Sequence, residues 1–141
     1  MEKISLWNLI IGFLVIFFAA CAGPFLALDA TKSFIHDPGH LQSWTFTLMA
    51  SAHGHTNLFG ILHCLFGLSF PYSAVSKKHK YLQTIGLSCG TFAMSVLMVF
   101  RASGSPVEGF DVPGLLTGVL LSFALLAIGS HCLGLMLKLR H

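Results

Sequence analysis

Residues 4–28 read ISLWNLIIGFLVIFFAACAGPFLAL, an uninterrupted apolar segment that contains no aspartate, glutamate, lysine or arginine. As an α-helix, a segment of this length extends about 37 Å, which exceeds the roughly 30 Å hydrocarbon core of a bilayer. The rest of the chain has the same character, because 55% of its 141 residues are hydrophobic and only 9% are charged. Soluble domains carry about 25% charged residues, so the sequence predicts an integral membrane protein.

Three further segments are of similar length and also lack aspartate, glutamate, lysine and arginine. They are residues 44–70, 81–100 and 113–137. Backbone polar groups inside a bilayer must bond to one another, so each segment is predicted to be a transmembrane helix. The sequence therefore predicts an all-α polytopic protein, with one domain over residues 1–141 and four transmembrane helices at about 4–28, 44–70, 81–100 and 113–137.

Basic residues are distributed unevenly between the two ends of these helices. Six of the eight lysines and arginines lie on the side of the termini, and four of the five acidic residues lie on the other side. Cytoplasmic loops are enriched in Lys and Arg, so both termini are predicted to be cytoplasmic. The basic run at residues 77–80 is then a membrane anchor rather than a nucleic-acid site. Because apolar residues continue past Cys21, the first helix is expected to remain uncleaved.

Residues 51–64 read SAHGHTNLFGILHC and place three histidines in one predicted span. Ionisable or metal-binding groups inside a span are costly and usually functional. Four histidines have such positions, namely His53, His55, His63 and His131. A single membrane histidine is equally well explained as a neutral ring that is hydrogen-bonded to another helix. Four of them, two in an HxH pattern, favour a bound cofactor.

The spacing of these histidines restricts what they bind. A helix turns about 100° per residue, so His53 and His55 point about 200° apart and do not chelate one ion together. His55 and His63 lie about 12 Å apart along the axis, which also excludes a shared ion. A zinc pair on a helix has a spacing of three or four residues. The second helix is therefore a poor mononuclear metal site, but it is suited to present one imidazole to each of two cofactors.

Heme is the cofactor that suits this arrangement, because it needs an axial imidazole, apolar walls and polar partners for its propionates. Apolar residues that include Phe46 and Met49 flank the two histidines. By the predicted orientation the HxH lies in the outer half of its helix, where Arg101, at the outer end of the third helix, would meet the propionates. His36 and His40 in the first outer loop are weaker candidates for cofactor binding.

The stretch AHGHTNLFGI resembles the HxH stretch on the tenth helix of the catalytic subunit of heme-copper oxidases. HTNLFG also resembles the second-helix heme-ligand stretch of their nitric oxide reductase relatives. In that superfamily twelve helices form three arcs of four with approximate threefold symmetry, so this chain resembles one arc. The resemblance implies heme b with His53 and His55 as iron ligands. It also implies electron transfer or redox or gas sensing, in a bacterial inner membrane.

The sequence departs from that family at the copper site, which needs further histidines that include an adjacent pair. This chain has no HH dipeptide and no histidine in its third predicted helix. An oxygen-reducing heme–copper centre is therefore not expected, copper is the less favoured metal, and an oxidoreductase activity stays open. A homotrimer would rebuild the threefold arrangement, with His55 of one subunit and His53 of its neighbour clamping each heme.

His63 and His131 form a second candidate pair, because the second and fourth helices run in the same direction. Each lies seven residues before the inner end of its span, at Phe70 and Lys138, so the two rings are expected at a similar depth. They would be axial ligands of a heme inside one four-helix bundle. An interhelical hydrogen bond or a proton relay is the slightly favoured alternative for this pair.

Two other functions remain open at this point. The first is transition-metal binding or transport, for which the predicted outer loops offer nitrogen and oxygen donors. These donors are His36, Asp37, His40, Glu108 and Asp111. Ordinary solvated loop residues would look the same. The second is an accessory subunit of a respiratory complex, in which the histidines contact the cofactors of that complex.

Overall fold

The computed structural model describes residues 2–106 and 109–140, and every regular element in these ranges is helical. The four long helices are α1 (Lys3–His36), α2 (Trp44–Ser69), α3 (Lys77–Ala102) and α4 (Val112–Lys138). Short 3-10 helices, Pro38–Gln42 and Phe70–Tyr72, lie after α1 and after α2. The all-α fold that the sequence predicts is therefore confirmed.

Three of these helices, α1, α3 and α4, are long and apolar enough to cross a membrane. The helix α2 has 26 residues and so has the necessary length. Its polar residues His53, His55, Asn57 and His63 lower its hydropathy, and α2 is not among the three. The structure thus supports membrane-spanning character for α1, α3 and α4.

The end of α1 differs from the prediction. The helix has 34 residues and continues past Leu28 to His36, where the sequence predicts a loop. Residues 29–36 contain no glycine or proline, and the helix stops just before Pro38, because proline disfavours helical backbone in the residue that precedes it. Asp37 then accepts a hydrogen bond from the Gly39 N–H at 3.0 Å and starts the 3-10 helix. Half of the predicted loop is therefore helical.

The four helices pack mainly in chain order, α1 on α2, α2 on α3 and α3 on α4. An apolar cluster of buried side chains joins all of them, with Phe59, Phe66 and Phe70 from α2 and its end, and Leu87 from α3. Many large apolar side chains stay exposed on the outside of the bundle. Such a surface is expected where lipid chains, rather than water, surround the protein.

One turn of α3, residues 93–97, is π-helical. A π turn inserts an extra residue into an α-helix, and such turns are frequent at functional sites. Here it carries Ser95, whose hydroxyl donates to the Thr91 carbonyl at 2.7 Å. Ser95 and Val99 both line a cavity of about 540 Å³ that His53 also lines. The irregular turn therefore lies at the candidate site rather than elsewhere in the bundle.

The crossing of α1 and α2 depends on Gly12. A Cβ at this position would lie 2.5 Å from Sγ of Cys64 and 2.7 Å from the Gly60 carbonyl oxygen. Neither distance is compatible with the present separation of the two helices, and the second atom belongs to the backbone. Only glycine at residue 12 therefore allows this close approach.

Gly12→Ala is expected to destabilise the protein by about 2 kcal/mol, because the added methyl group overpacks the crossing of α1 and α2. The matched control is Gly118→Ala in α4, where an added Cβ meets nothing within 4 Å. The control should be neutral or slightly stabilising, since alanine favours the helix over glycine. Denaturant titration of the two variants in detergent measures the difference, and equal stabilities would contradict this account of the crossing.

Candidate functional site

His53 points from α2 toward α1. Its Cε1 atom lies 3.2 Å from the position that a Cβ of residue 23 would occupy, so the ring packs against Gly23. Its Nε2 is 3.4 Å from the Asn57 side-chain nitrogen, and its Nδ1 is buried without a hydrogen-bond partner among the described residues. Because an amide nitrogen only donates, the Asn57 N–H points to Nε2, and Nδ1 carries the ring proton as a buried donor. A metal at this ring would therefore bind Nε2 in place of the Asn57 N–H.

A cavity of about 540 Å³ lies beside His53, between α1, α2 and the C-terminal half of α3. This volume is within the range of small-molecule and cofactor sites. Its walls are mostly apolar, and Phe18 and Phe25 on its α1 side are also largely exposed, so the cavity opens to the outside of the bundle. The smaller lining residues include Ala19, Ala22, Ala52 and Thr56, of which Ala19 and Ala52 are buried.

His55 lies on the exposed side of α2. Its Nδ1 is 2.9 Å from the Ser51 carbonyl oxygen, which accepts only, so Nδ1 carries the proton. The other nitrogen, Nε2, then carries a lone pair, and it makes no hydrogen bond within the described residues. A backbone carbonyl that holds one ring N–H is the usual way in which a protein orients a metal-binding histidine.

His63 is fully buried in a hydrogen-bond network that joins α1, α2 and α3. Its Nδ1 lies 2.9 Å from Oδ1 of Asn8, and its Nε2 lies 3.2 Å from the Thr91 hydroxyl. The Asn8 side-chain nitrogen donates to the Ile4 carbonyl and to the Thr84 hydroxyl, so its Oδ1 accepts the N–H of His63. Both ring nitrogens have protein partners, as the hydrogen-bond interpretation of His63 expects.

His131 has different neighbours. Its Nε2 is 2.7 Å from the Ser69 hydroxyl, and its ring stacks on Phe66 with centroids 4.3 Å apart. Its Nδ1 is buried without a partner among the described residues. His63 bonds to α1 and α3 whereas His131 bonds to the end of α2, and neither ring lines the cavity beside His53. Neither ring lines the second cavity, near Arg101, so the two rings do not share a described cavity.

Arg101 lies near the C-terminal end of α3. Its Nε donates to Oδ2 of Asp111 at 2.5 Å, and its guanidinium lies 5.0 Å from the centroid of the Trp44 ring. It lines a separate cavity of about 280 Å³ and not the one beside His53. Within one chain, the structure therefore does not bring Arg101 and His53 together.

Asp111 links this arginine to the start of α4. The Gly114 N–H donates to its carboxylate and, together with Arg101, holds the pKa of Asp111 below its usual range, although partial burial acts in the opposite direction. A lowered pKa in the folded state means that the ionised carboxylate stabilises the fold above about pH 4. This contribution is lost as the pH falls through the pKa of the folded protein.

The variant Asp111→Asn is therefore expected to have a lower unfolding temperature than the wild type at neutral pH, with the difference shrinking below about pH 4. Asparagine still caps the helix, so the variant removes the charge and leaves the turn. Thermal unfolding at pH 7 and pH 3 measures this effect. A difference that does not change with pH would show that the charge of Asp111 contributes nothing.

The loop residues that the sequence offered as metal ligands are dispersed. His40 and Asp29 both line the cavity, with His40 Nε2 3.4 Å from Oδ2 of Asp29. His36 ends α1 and is exposed, Asp37 caps the following turn, and Glu108 lies outside the described residues. In the part of the chain that the structure describes, no group of three or more His, Cys, Asp or Glu side chains is placed to hold a metal ion.

Sequence reasoning missed the residues that surround the histidines. Asn8, Thr84 and Thr91 complete the network of His63, and Gly23 gives His53 its place against α1. One signal for Asn8 is in the sequence, since it is the single amide side chain in the first apolar segment. Nothing in the sequence distinguishes Gly23 or Thr91 from the other small residues of the helices.

The site therefore consists of one imidazole in an apolar cavity and a second imidazole on the exposed side of the same helix. Such a pair has the chemistry to bind transition-metal cofactors, because neutral imidazole is the commonest metal ligand in proteins. Comparison of the chain with family profiles, with curated proteins and with solved structures gave no match.

Proposed function

We propose that this chain is a heme b-binding membrane protein that transfers electrons or senses a gas or the redox state. The observation that carries the proposal is the position of His53 on the wall of an apolar cavity of about 540 Å³. The proposal also depends on the resemblance of AHGHTNLFGI to the heme-ligand stretch of heme-copper oxidases. When bound, heme supplies one-electron chemistry or a site for a small gas molecule.

The residues around His53 fit a flat apolar group. The cavity walls are formed by aliphatic and aromatic side chains, and small residues such as Ala19, Ala22 and Ala52 leave room between α1 and α2. The nitrogen that would bind iron is Nε2 of His53, whose contact with the Asn57 side-chain nitrogen is long, at 3.4 Å, so its lone pair is only weakly engaged. Apolar walls with one free imidazole are what an iron porphyrin requires of a protein.

His55 is the second proposed iron ligand. The hydrogen bond from its Nδ1 to the Ser51 carbonyl fixes the ring and leaves the lone pair of Nε2 free. The role of the chain is to hold these two imidazoles, to exclude water with its apolar walls and to accommodate the propionates. Arg101 is bound to Asp111, and His40 lines the cavity but is paired with Asp29, which lines it too, so the propionates would have to displace a carboxylate at either residue.

The proposal includes four transmembrane helices with both termini in the cytoplasm. Support comes from the basic residues around the start of α3 and the end of α4, which lie at one end of the bundle. The polar helix α2 packs between α1 and α3, so its neighbours cover a large part of its surface. Reporter fusions at residues 40, 75 and 106 test this topology, and an external residue 75 would contradict it.

A visible spectrum of the purified full-length protein tests the heme proposal. The chain is produced with heme supplementation, purified in mild detergent, and assayed for heme per chain as the pyridine hemochrome. The expected result is a sharp reduced α band with heme b in a fixed ratio to protein. A protein without a Soret band after supplementation would refute the proposal, and tightly bound copper or zinc in its place would favour the metal-binding alternative.

Gly23→Ala is expected to weaken heme retention by up to about tenfold, because the new methyl group would lie 3.2 Å from Cε1 of His53 and would force the ring to shift by a few tenths of an ångström. Gly129→Ala is the matched control, since an added Cβ there meets nothing within 4 Å. Heme transfer to apomyoglobin measures the retention. Equal transfer rates for the two variants would show that the contact between His53 and Gly23 does not shape the site.

A further inference from the structure

The two imidazoles of the HxH lie on either side of the exposed face of α2. This face includes Thr47, Ala50 and Gly54, which are all exposed. A helix turns about 100° per residue, so His53 and His55 lie about 100° to either side of Gly54. His53 packs against α1, whereas His55 is exposed on the far side. The two rings therefore face different surroundings: His53 faces α1, and His55 faces the outside of the bundle.

The exposed His55 needs a partner. An imidazole with a free Nε2 in the lipid-facing part of a membrane helix is costly, because lipid chains offer it no hydrogen bond or metal. Within the described residues the only groups that contact its ring nitrogens belong to Ser51, through Nδ1. Nε2 therefore has no partner in the part of the chain that the structure describes, and a group from a second molecule would satisfy it.

The cavity beside His53 lacks a second imidazole, just as the exposed His55 lacks a partner. It supplies one imidazole, and it opens to the outside of the bundle past Phe18 and Phe25. His55 of the same chain points about 200° away from His53 and does not reach across α2. A site with two imidazole ligands therefore takes its second ligand from elsewhere.

We propose that each heme site is shared between two copies of this chain, with His53 from one copy and His55 from the next. This inference rests on the proposed heme function and names the partner of the same site. Because the two rings point to opposite sides of α2, they face two different copies. The smallest closed ring in which each copy has two different neighbours is a trimer.

The face of α2 between the two histidines suits this assembly. Thr47, Ala50 and Gly54 are small, and an added Cβ at Gly54 meets nothing within 4 Å. Small side chains allow membrane helices to approach one another closely. In the ring, these faces of the three α2 helices lie toward the common axis, with the hemes between neighbouring copies.

Complementation between two defective chains tests the inference. His53→Ala and His55→Ala, each with a different affinity tag, are co-expressed with heme supplementation and purified through both tags. A mixed trimer contains one intact pair of His53 and His55, so it should recover about one third of the wild-type heme and its bis-histidine spectrum. The matched control replaces the second chain by the double variant His53→Ala/His55→Ala, which leaves no intact pair.

The outcomes of this experiment distinguish failure of the shared site from failure of the heme function. If the wild type binds heme but the mixed complex has none, or if the two tagged chains do not co-purify, the shared site is refuted and the heme function stands. Recovery in the control complex would also refute the shared site. If the wild type itself binds no heme, the proposed function fails, and the shared site fails with it.

Discussion

Replacing either His53 or His55 by alanine is expected to abolish the bis-histidine heme spectrum of the purified protein. Each substitution removes one axial ligand and leaves the apolar walls intact. Even the loss of an outer partner of a metal ligand typically costs 10–100-fold in affinity, so the loss of the ligand itself should exceed about 100-fold. Reduced-minus-oxidised spectra and heme per chain, measured on each single variant, give the result directly.

His79→Ala is the matched control for these variants. His79 is exposed at the start of α3, where its Nδ1 is 2.8 Å from the Ser76 hydroxyl, far along the chain from the HxH. Its heme content and spectrum should equal those of the wild type. Survival of the bis-histidine spectrum in both His53→Ala and His55→Ala would refute the ligand assignment, even if the protein still contained heme.

The helix positions could be predicted from the sequence because a segment that crosses lipid must be long and apolar. The ends of α2, α3 and α4 lie within four residues of the predicted bounds. The end of α1 does not, because the prediction located the boundary at Asp29, where apolar residues stop. A helix that leaves the membrane continues as long as its residues favour helix, and α1 continues to the residue before Asp37 and Pro38.

The divergence of His53 and His55 follows from helical geometry alone, and the structure places one ring against Gly23 and the other on the exposed face. The cavity could not be anticipated in this way. It depends on how α1 and the π-helical turn of α3 pack around His53, and these contacts join residues that are distant in the chain. Periodicity within one helix gives the direction of a side chain but not its neighbours.

His63 illustrates the same limit. In the sequence both His63 and His53 are imidazoles within one predicted span, although only His53 belongs to the HxH pair. The structure separates them, because His63 meets Asn8 of α1 and Thr91 of α3 and has both nitrogens bonded, whereas Nδ1 of His53 has no partner among the described residues. The two histidines are therefore expected to respond differently to substitution.

His63→Ala is expected to destabilise the protein by about 4 kcal/mol, because it leaves a cavity and deprives Asn8 Oδ1 of its donor. His63→Leu restores most of the volume but not the hydrogen bonds, and about 2 kcal/mol of the loss should remain. Denaturant titration in detergent measures both variants.

The heme spectrum supplies the second half of this test. If His63 holds α1, α2 and α3 together and binds no iron, His63→Leu should retain the bis-histidine spectrum at a temperature where the variant is still folded. Loss of that spectrum with unchanged stability would instead make His63 an iron ligand. Because His53→Ala should show the converse pattern, the two variants together separate a residue that binds the cofactor from one that stabilises the fold.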